Sequence, residues 1–444
     1  MSSELKDLVA RLEERAVIAG AERAEAIARS SRNLLIEVKE GRTEGMRRTT
    51  EVSAALRVIV DGRMGFAYAT EPGEEGIGKM VADAVAGAKL LSPSHENRFS
   101  TSSQPGRAED IFDLTGIDLA IDRKVAVALA VERAVLESDR SITKAYKPSY
   151  SEGYRTSAIS SGGEVWSYED VQYSIGVQAI AEKGGASQTG YEYRVSRRFG
   201  DLSPKDVGGA AAAEAVGLLG GDQPDSGRYP AVLPPRTAVS FLGVLASSFS
   251  AEEVQKGRSR LAGRIGDRVF SPALTLTDDG TVTGGVGTVP FDDERVPPRP
   301  RQLVEEGVVR GFLHSLKTSA KEGTEPTGNG FRSSLSAHPV PGTTNLILRG
   351  GSSPWGGGPP GTSVQLVSLM GVHTADRVSG DFSLGVSGYV LRDGERVRPF
   401  RNGTVSGNIF DLFSSIAAVG DDLTFYGSVG SPSLVAESVV ISGK

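Results

Sequence analysis

TEVSAALRVIVDGRMGFAYA, residues 50–69, places Val52, Ala54, Leu56, Val58 and Val60 at every second position. A strand turns successive side chains to opposite faces, so these five share one apolar face. Asp61-Gly62 then supplies the left-handed backbone of a tight turn, and apolar residues resume beyond it, which predicts a hairpin. Upstream, LLIEVKEG (34–41) has the same period of two. Leu5, Leu8, Val9, Leu12, Val17 and Ile18 recur instead at helical spacing, and the Ala-rich continuation predicts a helix to about Ile27. A second helix is predicted in GIGKMVADAVAGAKLL (76–91). Residues 1–91 thus read as an N-terminal α/β unit.

Residues 92–110, SPSHENRFSTSSQPGRAED, are polar and predict a linker, with His95 solvated. A middle α+β unit, 111–225, opens with the helical pattern LAIDRKVAVALAVERAVLES (119–138). It continues through tyrosine-rich alternating segments (142–198), which predict an antiparallel sheet, and closes on PKDVGGAAAAEAVGLLGG (204–221). GGDQPDSGRYP (220–230) marks the next boundary. Residues 226–444 are rich in glycine and proline, with short β-like segments and helical patterns only at 237–257 and 407–419. GGSSPWGGGPPG (350–361) reads as a mobile surface loop. No fixed-period repeat is visible. Strands and helices are segregated, so the class is α+β: N-terminal helix/strand units followed by a large, mostly β C-terminal domain.

Bulk properties exclude several functions. A formal charge of −6 over 444 residues argues against a nucleic-acid binder, whose surface must neutralise phosphates. No apolar run approaches the roughly 18 residues of a membrane helix. The N-terminus mixes acids with bases and shows no secretory segment. With no cysteine, disulfides and thiolate metal sites are excluded. A cytoplasmic protein is expected.

Chemical motifs are sparse. No two of His95, His314, His338 and His373 stand three or four apart, so no helix presents a zinc-binding pair. His314 falls in the strand-like VVRGFLHSLKTSA. GEEGIGKM (73–80) approaches a phosphate loop but ends on Met80, which has no hydroxyl for magnesium; its glycines read as a helix entry. GxSxG is absent. TLTDDG (Asp278, Asp279) and PFDDERVP (Asp292, Asp293, Glu294) could pair carboxylates as acid and base. Asp-Asp-Gly is also ordinary turn chemistry, and Asp-Asp-Glu before Val-Pro-Pro reads as a solvated loop.

Six blocks in order resemble the TldD/PmbA (TldE) family: SGRYPAVLPP (226–235), TLTDDG with GTVPFDDERVP, RQLVEEGVVRGFLHSLKTSAKEG (301–323), PTGNGFR (326–332), SGDFSLGVSGYV (379–390) and VSGNIFDLFSSIAAVGDDL (405–423). The resemblance implies a cytoplasmic peptidase of two related chains that cleaves unfolded or flexible peptides, including leader peptides of natural products. In the TldD-type chain a helix carries zinc on histidines four apart with an adjacent glutamate, and a C-terminal cysteine adds a ligand. The matching helix here, Ala238–Val254, has no histidine and only Glu252 and Glu253, and 423–434 has no cysteine. The chain is therefore similar to the TldE/PmbA subunit, with no metal of its own and zinc expected in a TldD-type partner. The alternative is a metal-free homodimer acting in peptide binding or natural-product tailoring. Candidates for lining a substrate cavity are His373, Asp381, Ser383, Asn329 and Arg332. Two positions depart from the family pattern: Arg295, where glycine is usual, and Ser379, where threonine is.

Overall fold

The computed structural model describes residues 2–351 and 358–444, so 352–357 of the Gly/Pro-rich segment lie outside the described residues. The first unit runs α1 (Ser2–Ile18), β1 (Arg23–Lys39), β2 (Arg42–Val60), β3 (Arg63–Thr70) and α2 (Glu74–Lys89). The middle unit runs α3 (Ile121–Leu136), β4 (Ile142–Ser161), β5 (Glu164–Lys183), β6 (Ala186–Ser196) and α4 (Pro204–Gly217). Both are helix, three antiparallel strands, helix. β1 pairs with β4, so the two units share one six-stranded sheet, ordered β3-β2-β1-β4-β5-β6. The duplicated topology has no counterpart in sequence periodicity.

The hairpin predicted at Asp61-Gly62 joins β2 to β3, with both turn residues at positive φ. The first helix ends at Ile18, short of the predicted Ile27. Gly20 at φ 100° ends it, and Ala24, Ala26 and Ala28 then alternate as a strand whose apolar face packs under the helices. On β1, Ala24, Ala26 and Ala28 pack with α1 and α2, while Leu34, Ile36 and Val38 pack with α3 and α4. All six are even-numbered, so the helix pairs lie on one face of the sheet, at opposite ends of its strands. Gly65 of β3 and Gly190 of β6 let the helices rest directly on the edge strands. An added Cβ would stand 1.9 Å from the Ala84 carbonyl oxygen of α2, or 2.1 Å from that of Ala211 in α4.

The C-terminal part continues through β7 (Gly227–Leu233), α5 (Pro235–Leu245), α6 (Ala251–Gln255), β8 (Leu276–Asp278), β9 (Arg301–Glu305) and β10 (Val308–Val309). Next come α7 (Leu316–Glu322), β11 (Gly330–Phe331), β12 (Val340–Pro341), β13 (Leu346–Leu348), β14 (Thr362–Met370) and β15 (Asp381–Arg392). It closes with β16 (Glu395–Asn408), α8 (Ile409–Ser414), β17 (Ile416–Val419), β18 (Thr424–Tyr426), β19 (Val429–Ser431) and β20 (Leu434–Ser442). Because β16 pairs with both β15 and β20, strands β7, β14, β15, β16 and β20 close into a five-stranded barrel. A second sheet, β10-β9-β8-β13-β19-β18, shares its core. The helix predicted over 237–257 is broken. A 3-10 turn at Ala246–Phe249 interrupts it, Ser247 Oγ bonds back to the Val244 carbonyl, and the Ala251 N–H is drawn to the Leu313 carbonyl.

The sheet face opposite the helices meets this C-terminal part: Ile27, Ala55, Ile159 and Trp166 pack on Phe291 and Leu335. The segment 92–110 is docked rather than free. Phe99 is buried, Ser100 Oγ donates to the Arg295 carbonyl at 2.8 Å, and the Gly106 N–H donates to the Pro290 carbonyl. The α+β class and the mostly β C-terminal region stand as expected.

The glycine contacts give a first prediction. Gly190→Ala should force α4 off β6 and lower unfolding stability by about 2–4 kcal/mol, read by urea or thermal denaturation.

Candidate functional site

Where the sheet meets the C-terminal part, the contact is polar at its centre. Glu25 and Arg57 are direct cross-strand neighbours on β1 and β2, as are Arg155 and Asp170 on β4 and β5. The loop 287–298 enters this stripe. Asp293 accepts from Arg29 at 2.6 Å and from the Arg332 backbone N–H at 2.9 Å. Glu294 accepts from Arg57 at 2.9 Å and from the Leu316 N–H opening α7 at 2.7 Å. Asp292 turns inward to the backbone N–H groups of Glu294, Val296 and Gly330. The Asp-Asp-Glu run, read from sequence as a solvated loop, is buried. A solvated reading fails because each carboxylate meets donors from distant segments.

Burial, then the Glu294 charge, pushes the Asp292 carboxyl well above its usual range despite the three N–H groups. Glu25 is raised by burial against the lowering effect of Arg57 and Arg332. Arg332 lies buried behind this pair, donates to the Ala337 carbonyl, and is pushed down to about 10 by burial and by Arg57. Arg295 takes φ 61°, the region glycine favours, consistent with glycine being usual there in the resembling family. Its guanidinium lies 4.0 Å from the Trp166 ring centroid and pairs with Glu164.

Beside this network a cleft of about 460 Å³ opens. Arg57 and Glu294 form its floor. Arg98 and Asn97 of the docked linker, Glu252 of α6, Lys317 of α7 and His338 form its walls, with Met64, Leu91 and Val340 as apolar rim. The His338 ring packs 4.8 Å from that of Phe66. Burial and the nearby Arg332 and Arg57 lower its pKa, leaving it neutral at pH 7. His338 went unassigned in the sequence because it sits in the aperiodic SSLSAHPVPG, where only the fold reveals its neighbours. The cleft offers a neutral imidazole, mixed charge and backbone polar groups. Among the described residues no side chain is hydrogen-bonded to the His338 ring, so no nucleophile and base are paired there.

The sequence candidates fall in two places. Asn329 and Arg332 are buried beside the Asp-Asp-Glu loop, and Asn329 donates to Asp278 at 2.7 Å. His373, Asp381 and Ser383 are exposed at the β14–β15 end. Asp381 accepts from Ser379 Oγ and from Asn408 Nδ2, both at 2.8 Å, and Asn408 in turn caps α8. No hydrogen bond among the described residues joins the two groups. Asp278, expected in a turn, ends strand β8, accepts the Thr344 N–H and hydroxyl, and is pushed up by burial to about 6. Asp279 does hold the turn, accepting from Thr281. His314, expected on a strand, lies buried just before α7, its Nδ1 without a hydrogen-bond partner among the described residues.

At the position of the expected zinc helix, α5 buries Ala238, Phe241, Leu242, Val244 and Leu245, and Thr237 spends its hydroxyl on the Leu366 carbonyl. Glu252 pairs with Lys256 and Glu253 with Arg258. In 423–434, the Ser433 hydroxyl is bound to Asp422. Apolar side chains and ion-paired carboxylates do not form a donor set suited to zinc.

Two predictions follow from the buried charges. Glu294→Gln leaves Arg57 half-compensated and should cost about 3 kcal/mol in urea unfolding. Because folding raises the Asp278 pKa, the folded state binds its proton more tightly, and charging this group costs stability as pH rises from about 4 to about 6. Asp278→Asn should remove that dependence, so wild-type and variant stabilities shift against each other by about 3 kcal/mol across this window.

Comparison with known proteins places the geometry. Residues 24–88, 115–219 and 226–443 match the three families described as PmbA/TldA metallopeptidase domain 1, central domain and C-terminal domain. A Haemophilus influenzae protein named metalloprotease PmbA homologue is 25% identical over 447 residues, covering 99% of this chain and 96% of its own. A Thermotoga maritima crystal structure, described as a candidate modulator of a DNA gyrase, superposes with a TM-score of 0.89 at 25% identity, covering 100% of both chains. The crystal structure of TldE from Thermococcus kodakarensis gives a TM-score of 0.85 at 19% identity, covering 98% of this chain and 100% of that one.

Proposed function

Because the chain belongs to the PmbA/TldD metallopeptidase family, we propose that it serves as the TldE/PmbA-like, non-metal subunit of a cytoplasmic zinc peptidase complex that cleaves unfolded or flexible peptides. A TldD-type paralogue supplies the zinc and its water-activating glutamate. This chain supplies cavity walls and peptide contacts. The observation that carries the reading is α5, which fills the expected zinc position with Phe241, Leu242 and Leu245 packed into the core.

Peptide binding has two supports. β3 covers β2 only from Ser53 to Val60, so residues 42–52 have no outer partner strand among the described residues. Such an edge can add an extended peptide through main-chain hydrogen bonds without reading its sequence. The 460 Å³ cleft has the size and mixed polarity for one or two peptide side chains.

The test is co-purification with the TldD-type paralogue from the same genome. A stable complex should form, cleave flexible peptides and lose activity to a chelator, with metal analysis finding zinc in the paralogue and none in this chain alone. Full activity of the paralogue without association, or stoichiometric zinc in this chain, would refute the assignment.

A further inference from the structure

A cavity of about 750 Å³ lies between the C-terminal end of α1, the start of β1, the β4–β5 turn and the docked linker. Val17 and Ile18 form an apolar lip, 50% and 78% exposed, that folding of this chain leaves uncovered. Phe99 supplies the opposite apolar wall, and the floor is Ser160 with the turn glycines Gly162 and Gly163. The lining carries Glu13, Glu14 and Glu22 against the single cation Arg23, an excess of two negative charges. Glu13 is committed to Ser160 Oγ and the Gly163 N–H, and Glu22 to the Asp61 N–H. Glu14 is exposed and its carboxylate makes no hydrogen bond among the described residues.

This is a pocket of ligand size with an apolar lip and wall above a polar floor, and with a net anionic lining. We propose that it docks a flexible peptide segment bearing an apolar side chain beside lysine or arginine. Leucine or phenylalanine would bury against Val17, Ile18 and Phe99, and the flanking cation would meet Glu14. Phosphate-bearing ligands are disfavoured by the charge. The site is separate from the cleft, yet the two share the linker as a wall: Phe99 and Ser100 face this cavity, Asn97 and Arg98 face the cleft. Phe99 also lies under the Arg57 guanidinium, 5.4 Å from its ring centroid. Occupancy here therefore bears on residues 97–101. The proposal needs neither zinc nor a partner subunit, so it fails or stands independently of the peptidase assignment.

The experiment titrates the isolated full chain into a fluorescent Lys-Leu-Lys-Phe-Lys peptide and reads anisotropy. Saturable binding is expected, weakened by salt, absent for a Glu-Leu-Glu-Phe-Glu peptide, and reduced about tenfold by Ile18→Asp or Glu14→Lys. Both positions are exposed, and unchanged melting curves will show that the variants fold. Hydrogen exchange at 97–101 should slow when the peptide is added. Three outcomes would overturn the proposal: no saturable binding, binding equal in both variants and wild type, or self-association lost in Ile18→Asp with no peptide bound.

Discussion

Asp293 and Glu294 reach from the C-terminal part to arginines of the sheet while Asp292 turns back into its own loop, and the docking of the sheet on the C-terminal part depends on all three carboxylates being satisfied. Unpaired, three adjacent carboxylates in a buried contact would cost several kcal/mol each. The sheet meets them with Arg29 and Arg57, and backbone N–H groups from 294, 296, 316, 330 and 332 supply the remaining donors. Asp292 escapes part of the cost by holding its proton more readily than an exposed aspartate. Such a network contributes modest net stability but penalises any other docking geometry, because a shifted sheet would strand a buried charge. The cleft borders on it, so its floor is fixed by the same contacts that hold the two parts together.

The duplicated unit explains why those contacts are needed. Each helix–three strands–helix unit covers only half the length of one sheet face, leaving the opposite face without helices. In the half near Ile27 and Ile159 that bare face is apolar around a polar stripe, and the C-terminal part closes it. In the other half Asn33, Leu35, Thr49, Ser151, Gln172 and Ser174 are partly or fully open along the same sheet. Period-two alternation thus sets two different surfaces on one strand: β1 presents Glu25, Ile27 and Arg29 to the C-terminal part, then Asn33 and Leu35 to the open half.

Local patterns were legible where the partner surface is simple. Val52 to Val60 alternated as required because α1 and α2 cover one face, and the Asp61-Gly62 turn needed no tertiary help. The Ala-rich stretch after Ile18 misled because alanine suits a helix and also fits under one as a strand. The charged loop misled for a different reason. A run of acids looks solvated unless its cations are known, and Arg29 and Arg57 lie more than 230 residues away. His338 and the docked linker were illegible on the same ground, since their roles arise only from what the fold brings beside them. The family blocks compensated, for they mark the loops at this junction.

Arg295 shows how one position can be locally disfavoured and still be well placed. A left-handed backbone costs an L-residue about 1 kcal/mol relative to glycine. Stacking over Trp166 can return about that amount, and the pairing with Glu164 and the Ser161 carbonyl joins the loop to both ends of the β4–β5 turn. Glycine would meet the backbone demand and leave Trp166 packed on Phe291 without the guanidinium over its ring. The arginine keeps the backbone shape and ties the loop to the sheet through the Ser161 carbonyl and Glu164, with its Nε buried and without a hydrogen-bond partner among the described residues.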